Sequence, residues 1–225
     1  FVVSMSFWGY GINGLRNGLA TSFFIYALGC VHTNKIKMIV FMIFAYTFHQ
    51  TLLLPILIYL LTLKFTNTKL FIILWLLMVV VSFFLGDFFN VLLSDISKLI
   101  DFGAARGQDI FADEYDGKEM LRGYRFDFIL YSGLPILFGH IYTTKKKFLD
   151  KFYIQLLNIY ILSNVVWLFV IYAAYSNRIA YLSWFLIPLI LIYPLLKHNL
   201  FKKQNQLIGC FIFGYLLFTL ILETL

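Results

Sequence analysis

Residues 121–135 read LRGYRFDFILYSGLP, from Leu121 to Pro135. A polar, acidic segment ends here and an apolar run begins within a few residues, so the chain passes from water into a membrane. Arg122, Arg125 and Asp127 stand on that threshold, where charge is costly and an ionisable side chain is a functional candidate by default. The plainer reading is a snorkelling arginine with a neutralising aspartate beside it. The rest of the chain decides between the two.

Outward from this stretch the composition is that of a membrane protein. Hydrophobic residues make up 61% and charged residues 13%, with a mean hydropathy of +0.85. An ordinary soluble domain carries about 25% charged residues. Apolar runs of spanning length recur at 15–31, 70–89, 124–142, 152–172, 181–196 and 207–222. They lack the alternation of an outer-membrane barrel. The 26 Phe, 15 Tyr and 4 Trp suit lipid contact and interfacial belts. The sequence therefore predicts an all-α polytopic helical bundle, one transmembrane domain over 1–225 with about six spans. A polar loop at 94–123 is expected on the extracytoplasmic side. The opening residues are neither a signal peptide nor a full span, so the chain reads as an N-terminally truncated piece.

The stretch 36–63 is apolar but broken near its middle by Thr47, His49, Gln50 and Thr51, with Pro55 a turn later. It reads as one long tilted helix, or as two short helices in a hairpin that enters the membrane and returns. Charge favours the hairpin. Short lysine-rich loops stay in the cytoplasm, and placing 145–151 and 197–203 inside puts 94–123 and Arg178 outside. With the hairpin, Lys35, Lys37, Lys64, Lys69, Lys145, Lys146, Lys147, Lys151, Lys197, Lys202 and Lys203 all lie inside, while Arg16, Arg106, Arg122, Arg125 and Arg178 all lie outside.

Outer arginines oppose the orientation bias, so another cause must place them there. The guanidinium stays protonated and grips phosphate through two parallel hydrogen bonds, which lysine cannot do. A phosphate-bearing lipid with an outward headgroup fits this pattern; separate contacts with bulk lipid headgroups are the plainer reading. His49 is a core histidine or, at a hairpin tip, a phosphate donor or a proton acceptor. Asp127 pairs with an arginine or serves as general base. Asp109, Asp113, Glu114, Asp116 and Glu119 form a loose acidic run without EF-hand spacing. Cys30 and Cys210 give no disulfide or metal framework. The net charge of +7 comes with no nucleic-acid signature. No nucleophile elbow, zincin pair, P-loop or dinucleotide fingerprint is present.

Four segments together resemble the EpsG family of Wzy-type polysaccharide polymerases. They are Gly14-Leu15-Arg16-Asn17-Gly18-Leu19-Ala20, Phe48-His49-Gln50-Thr51, Tyr124-Arg125-Phe126-Asp127-Phe128 with Leu130-Tyr131-Ser132, and Ser176-Asn177-Arg178-Ile179-Ala180-Tyr181. The likeness covers nearly all of the chain and corresponds to the C-terminal portion of a family member. Asn17 departs from the glutamine of many relatives. The resemblance implies a GT-C-like membrane glycosyltransferase in the bacterial inner membrane, with its active site on the extracytoplasmic side. It would join undecaprenyl-pyrophosphate-linked oligosaccharide repeat units of exopolysaccharide, capsule or O-antigen, with inversion and without metal or cofactor. Flippase and chain-length regulator proteins are the partners it implies, besides the bilayer; no nucleic acid is implied.

On that basis Arg16, Arg125 and Arg178 are expected to contact phosphate, and His49 or Asp127 to act as base. Arg122, Tyr124 and Asn177 are expected to bind substrate. The competing reading is a flippase or transporter for lipid-linked oligosaccharide, which should spread its charges through the membrane's depth.

Overall fold

The structure, a computed structural model, describes residues 2–99, 114–115, 118–119, 123–173 and 176–224. The helices are α1 (Met5–Asn13), α2 (Leu15–Gly29), α3 (Lys35–Phe48), α4 (Leu53–Lys64), α5 (Thr68–Leu99), α6 (Phe126–Thr144), α7 (Lys151–Phe169), α8 (Ser176–Trp184), α9 (Ile187–Lys197) and α10 (Gln204–Thr224). Among the described residues the only sheet is a two-residue ladder, β1 (Glu114–Tyr115) against β2 (Lys118–Glu119). Four stretches are long and apolar enough to cross a bilayer: Thr68–Leu92, Lys151–Phe169, Ser176–Lys197 and Gln204–Ile221. The protein is a polytopic helical membrane protein. Of the other two expected spans, 124–142 corresponds to α6, with 19 residues, and 15–31 to α2. The 15 residues of α2 make about 22 Å and fall short of a full crossing. Helix α5 runs on through Leu99, so helix occupies 94–99, where the sequence reading began the polar loop.

The 36–63 stretch is a hairpin. Helix α3 stops because His49 adopts an extended backbone, φ −152° and ψ 116°. A short 3-10 turn, Gln50–Leu52, follows, and the His49 side chain accepts from the Thr51 N–H to cap it. Pro55 lies in the first turn of α4, where a missing N–H costs nothing. The Tyr59 hydroxyl donates to Met38 Sδ at 3.3 Å, which brings the far part of α4 back beside the start of α3. At 14 and 12 residues these helices are about 21 and 18 Å long, each short of the roughly 30 Å hydrocarbon core. The pair therefore dips in and returns.

Prolines inside membrane helices free a carbonyl one turn back, and the bilayer supplies no water to satisfy it. Two tyrosines do so here. Pro135 frees the Tyr131 carbonyl, which accepts from the Tyr215 hydroxyl at 3.4 Å. Pro194 frees the Ile190 carbonyl, which accepts from the Tyr153 hydroxyl at 3.0 Å. Tyr153→Phe deletes only that donor. It should lower the Tm in detergent, corresponding to about 1–3 kcal/mol for an orphaned buried carbonyl; an unchanged melting curve would contradict this account.

A buried polar cluster ties the middle of the bundle. The Trp75 indole N–H donates to Asn164 Oδ1 at 2.6 Å, and Asn164 Nδ2 donates to Ser132 Oγ and Ser183 Oγ at 3.0 and 3.1 Å. The Trp184 indole N–H also reaches Ser132 Oγ, at 2.7 Å. These bonds join α5, α6, α7 and α8, and Ser132, Asn164 and Ser183 have no exposed surface. Satisfied polar groups of this kind fix helix register in lipid, where apolar contact alone is permissive.

Contacts along the helices set their directions. Ser132 meets Asn164 and Gly139 abuts Leu157, so α6 and α7 run antiparallel. Trp184 meets Phe128, and Leu191 accepts from Tyr142, so α8 and α9 run with α6. Tyr10 packs against both Gly18 and Tyr181, while Phe24 packs on Phe185, so α2 runs with α8. Three helices thus begin at one end of the bundle, and the hairpin tip packs on α2, with Phe48 against Phe23 at 5.0 Å between ring centres.

The opposite end carries the lysines. There Lys197 donates to Asp150 at 2.6 Å, Lys146 lies over the Phe201 ring, and His32 packs on Phe152. Burial pushes the Asp150 carboxyl up, but bonds from Lys197 and the Tyr153 N–H outweigh it and hold the group below the usual carboxylate range.

Candidate functional site

At the arginine-bearing end, each of the three parallel helices carries an arginine at its start. Arg16 is the second residue of α2, Arg125 is the N-cap of α6, and Arg178 lies in the first turn of α8. Unpaired N–H groups at a helix start favour anions, so these arginines reinforce fields of the same sign. Arg16 and Arg178 are exposed. Sequence reading placed these residues on one face, and the helix directions place them at one end.

Arg125 has the most constrained setting. Its Nε donates to Asp127 Oδ1 at 2.9 Å, and its Nη2 bonds Oδ2, so the carboxylate is held by two points of the guanidinium fork. The guanidinium carbon lies 3.7 Å from the centre of the Phe128 ring. That ring is buried and packs edge-on to Trp184. A planar cation stacked on an aromatic floor is held in orientation, which a lysine ammonium is not. The pair stays reachable: its side chains are 43% and 29% exposed.

His49 is partly buried at the hairpin tip. Its Nδ1 lies 2.6 Å from Thr51 Oγ1 and accepts from the Thr51 N–H at 3.4 Å. An accepting Nδ1 places the neutral ring's proton on Nε2, making that nitrogen a donor.

Tyr124 has a structural role. Its hydroxyl donates to the Val79 carbonyl at 2.6 Å, and its ring packs among Phe83, Phe126 and Tyr172. It braces the start of α6 against α5. Asn177 Nδ2 reaches the Tyr181 hydroxyl at 3.5 Å. Arg122 lies outside the described residues, as do Arg106, Asp109, Asp113 and Asp116. Among the described residues no three His, Cys, Asp or Glu side chains gather as metal ligands. The clefts along Asn199–Gln206 and beside His32, Asp150 and Lys197 open at the lysine end, away from these groups.

Several structural roles escaped the sequence reading. Tyr131 accepts from the Met5 N–H and touches Trp184 and Tyr215, seating α1 in the bundle. Tyr10 of α1 packs against α2 and α8, and a side chain at Gly9 would collide with Tyr181. Asn164 and Ser183 were readable as polar residues inside apolar spans. So was Asp87, a carboxylate on α5 one residue past Gly86.

Fold and site define a class: a polytopic helical membrane protein with arginines gathered at the ends of its helices on one side. A family model described as the EpsG family matches residues 1–224. The chain belongs to the EpsG family, and that membership supports a general role in exopolysaccharide polymerisation. Comparison with curated proteins and with solved structures gave no match.

Proposed function

We propose that this protein is a repeat-unit polymerase of the bacterial inner membrane, a glycosyltransferase acting on undecaprenyl-pyrophosphate-linked oligosaccharides. The lysine end would face the cytoplasm, and the arginine end and the 94–123 segment would lie outside, as parts of one transmembrane domain. The single observation that carries the reading is the arrangement of Arg16, Arg125 and Arg178 at the starts of three helices that begin together. A departing lipid pyrophosphate develops negative charge, and preorganised guanidinium groups and helix N-termini are suited to stabilise it.

In the proposed reaction a hydroxyl on the non-reducing end of the incoming repeat unit attacks the anomeric carbon of the growing chain. The new C–O bond forms as the bond to pyrophosphate breaks, with inversion and without metal or cofactor. The electron pair leaves on the pyrophosphate, held by the arginines with a bond from His49 Nε2–H. The hydroxyl proton passes to Asp127. In the resting protein Asp127 is bound by Arg125; an arriving pyrophosphate would compete for the guanidinium and release the carboxylate as base. Asn177 and Arg122 would contribute substrate contacts.

The test is a carrier-lipid and polysaccharide profile of a strain lacking the full-length gene. Loss of long polymer with single repeat units displayed outside is the expected result. Repeat units trapped on the cytoplasmic side would mean a flippase, and the polymerase reading would fall.

A further inference from the structure

Three elements converge on a cleft at the lysine end that the proposed chemistry leaves unused. Its lining includes Gly29 and His32 at the end of α2, Asp150 and Lys151 at the start of α7, and Tyr193 and Lys197 at the end of α9. Its volume is about 390 Å³, within the range of roughly 300–1,000 Å³ for small-molecule sites. The cleft at 199–206, by contrast, is lined by one continuous segment. Lys197 Nζ donates to Asp150 Oδ2 at 2.6 Å and to the Tyr193 hydroxyl at 3.1 Å. These bonds fix the ammonium and leave its third N–H for another acceptor. Asp150 Oδ1 accepts from the Tyr153 N–H at 2.9 Å, and the carboxylate keeps lone pairs for a further donor. Lys151 has no ion-pair partner among the described residues. The cleft thus sets two ammonium groups against one carboxylate, with the His32 imidazole beside them.

Depth names the kind of ligand. Lys151 opens one stretch of spanning length and Lys197 closes another, so the cleft sits at the edge of the hydrocarbon core, where lipid headgroups begin. One turn deeper on the same face of α2, Tyr26 is 50% exposed and offers its ring to an acyl chain. The excess of cation calls for an anion, and the spare carboxylate lone pairs call for a hydroxyl. We propose that this cleft binds the headgroup of an anionic phospholipid that carries hydroxyls, of the phosphatidylglycerol type. Its phosphate accepts from Lys151, His32 and the third N–H of Lys197, and a headgroup hydroxyl donates to Asp150. A choline headgroup brings a cation towards the lysines and has no hydroxyl for Asp150. Orientation bias accounts for lysines at this end; their convergence with Asp150 and His32 on one cleft is a separate feature. The proposal needs only the membrane fold and does not rest on the polymerase reading.

The experiment titrates the full-length protein, in neutral detergent micelles, with phosphatidylglycerol and reads bound lipid by native mass spectrometry. One molecule should bind about tenfold or more tighter than phosphatidylcholine of the same acyl chains, the scale of a hydrogen bond to a charged group. Lys151→Gln should weaken that binding about fivefold, the scale of one basic side chain facing an anionic headgroup. Gly29→Leu keeps every charge and should abolish the tight site, because a side chain there meets nothing within 4 Å and projects into the cleft. These two variants act by different means, so either carries the test if the other fails to fold. Lys202→Gln with Lys203→Gln removes two charges from the same end outside the cleft. That pair should bind within about twofold of wild type, since a neutral micelle presents no anionic surface to distant lysines. Equal affinity for phosphatidylcholine, wild-type affinity in folded Gly29→Leu, or an equal loss in the Lys202 and Lys203 control overturns the proposal. Displacement of the lipid by millimolar inorganic phosphate would make free phosphate the ligand and overturn the lipid assignment.

Discussion

Arg125→Lys should cut the extension of lipid-linked repeat units by about a hundredfold or more, while protein level and Tm stay near wild type. The charge is kept, so electrostatic attraction alone cannot produce the loss. What disappears is the fork that holds Asp127 at two points and the planar stack on Phe128. A lysine ammonium reaches one oxygen at a time and wanders on a flexible stem. Losing one preorganised donor to a developing anion costs about 10²–10³ in rate. The measurement is a time course of product ladders from membranes carrying matched amounts of protein. Near-normal chain lengths would refute the bidentate grip on pyrophosphate.

Asp127→Asn should be more severe, with a loss of about 10²–10⁴, the range for removing a positioned general base. Asparagine fills the same space and still accepts from Arg125 through its one carbonyl oxygen, so the start of α6 should remain intact. Residual activity in the variant should rise with pH as hydroxide replaces the missing base, whereas a purely structural aspartate would leave the pH profile unchanged in shape. His49→Gln serves as the comparison and should lose only about tenfold, the scale of one hydrogen bond to a charged group. Its Nδ1 is already engaged by Thr51. Should His49→Gln abolish activity while Asp127→Asn is mild, the two roles must be exchanged.

The hairpin illustrates how far charge and periodicity reach. His49, Gln50 and Thr51 interrupt an apolar stretch, and lysine sorting requires the chain to return to its starting side. Both features are local or topological, so the sequence carried them, and Tyr59 meeting Met38 agrees. The fate of Tyr124 was not legible. An aromatic at a membrane threshold gives no sign of its partner, and the bond to the Val79 carbonyl at 2.6 Å joins residues distant in sequence. Gly86 was visible as a letter, but the edge of the Tyr172 ring packed against it is a contact between residues distant in sequence.

By itself, then, the sequence determined the solvent this protein lives in and the helical class, favoured the hairpin, and sorted most lysines from the arginines. Those properties follow from runs of apolar residues and the placement of charge, which depend on neighbours along the chain. Tertiary structure decided which side chains meet. Arg125 stacks on Phe128, and Trp184 from another helix packs edge-on against that ring. Tyrosines from other helices satisfy carbonyls that two prolines release. Such pairings depend on helix rotation and depth, and in lipid these are set by packing and by a few buried hydrogen bonds, since hydrophobicity cannot distinguish one apolar face from another.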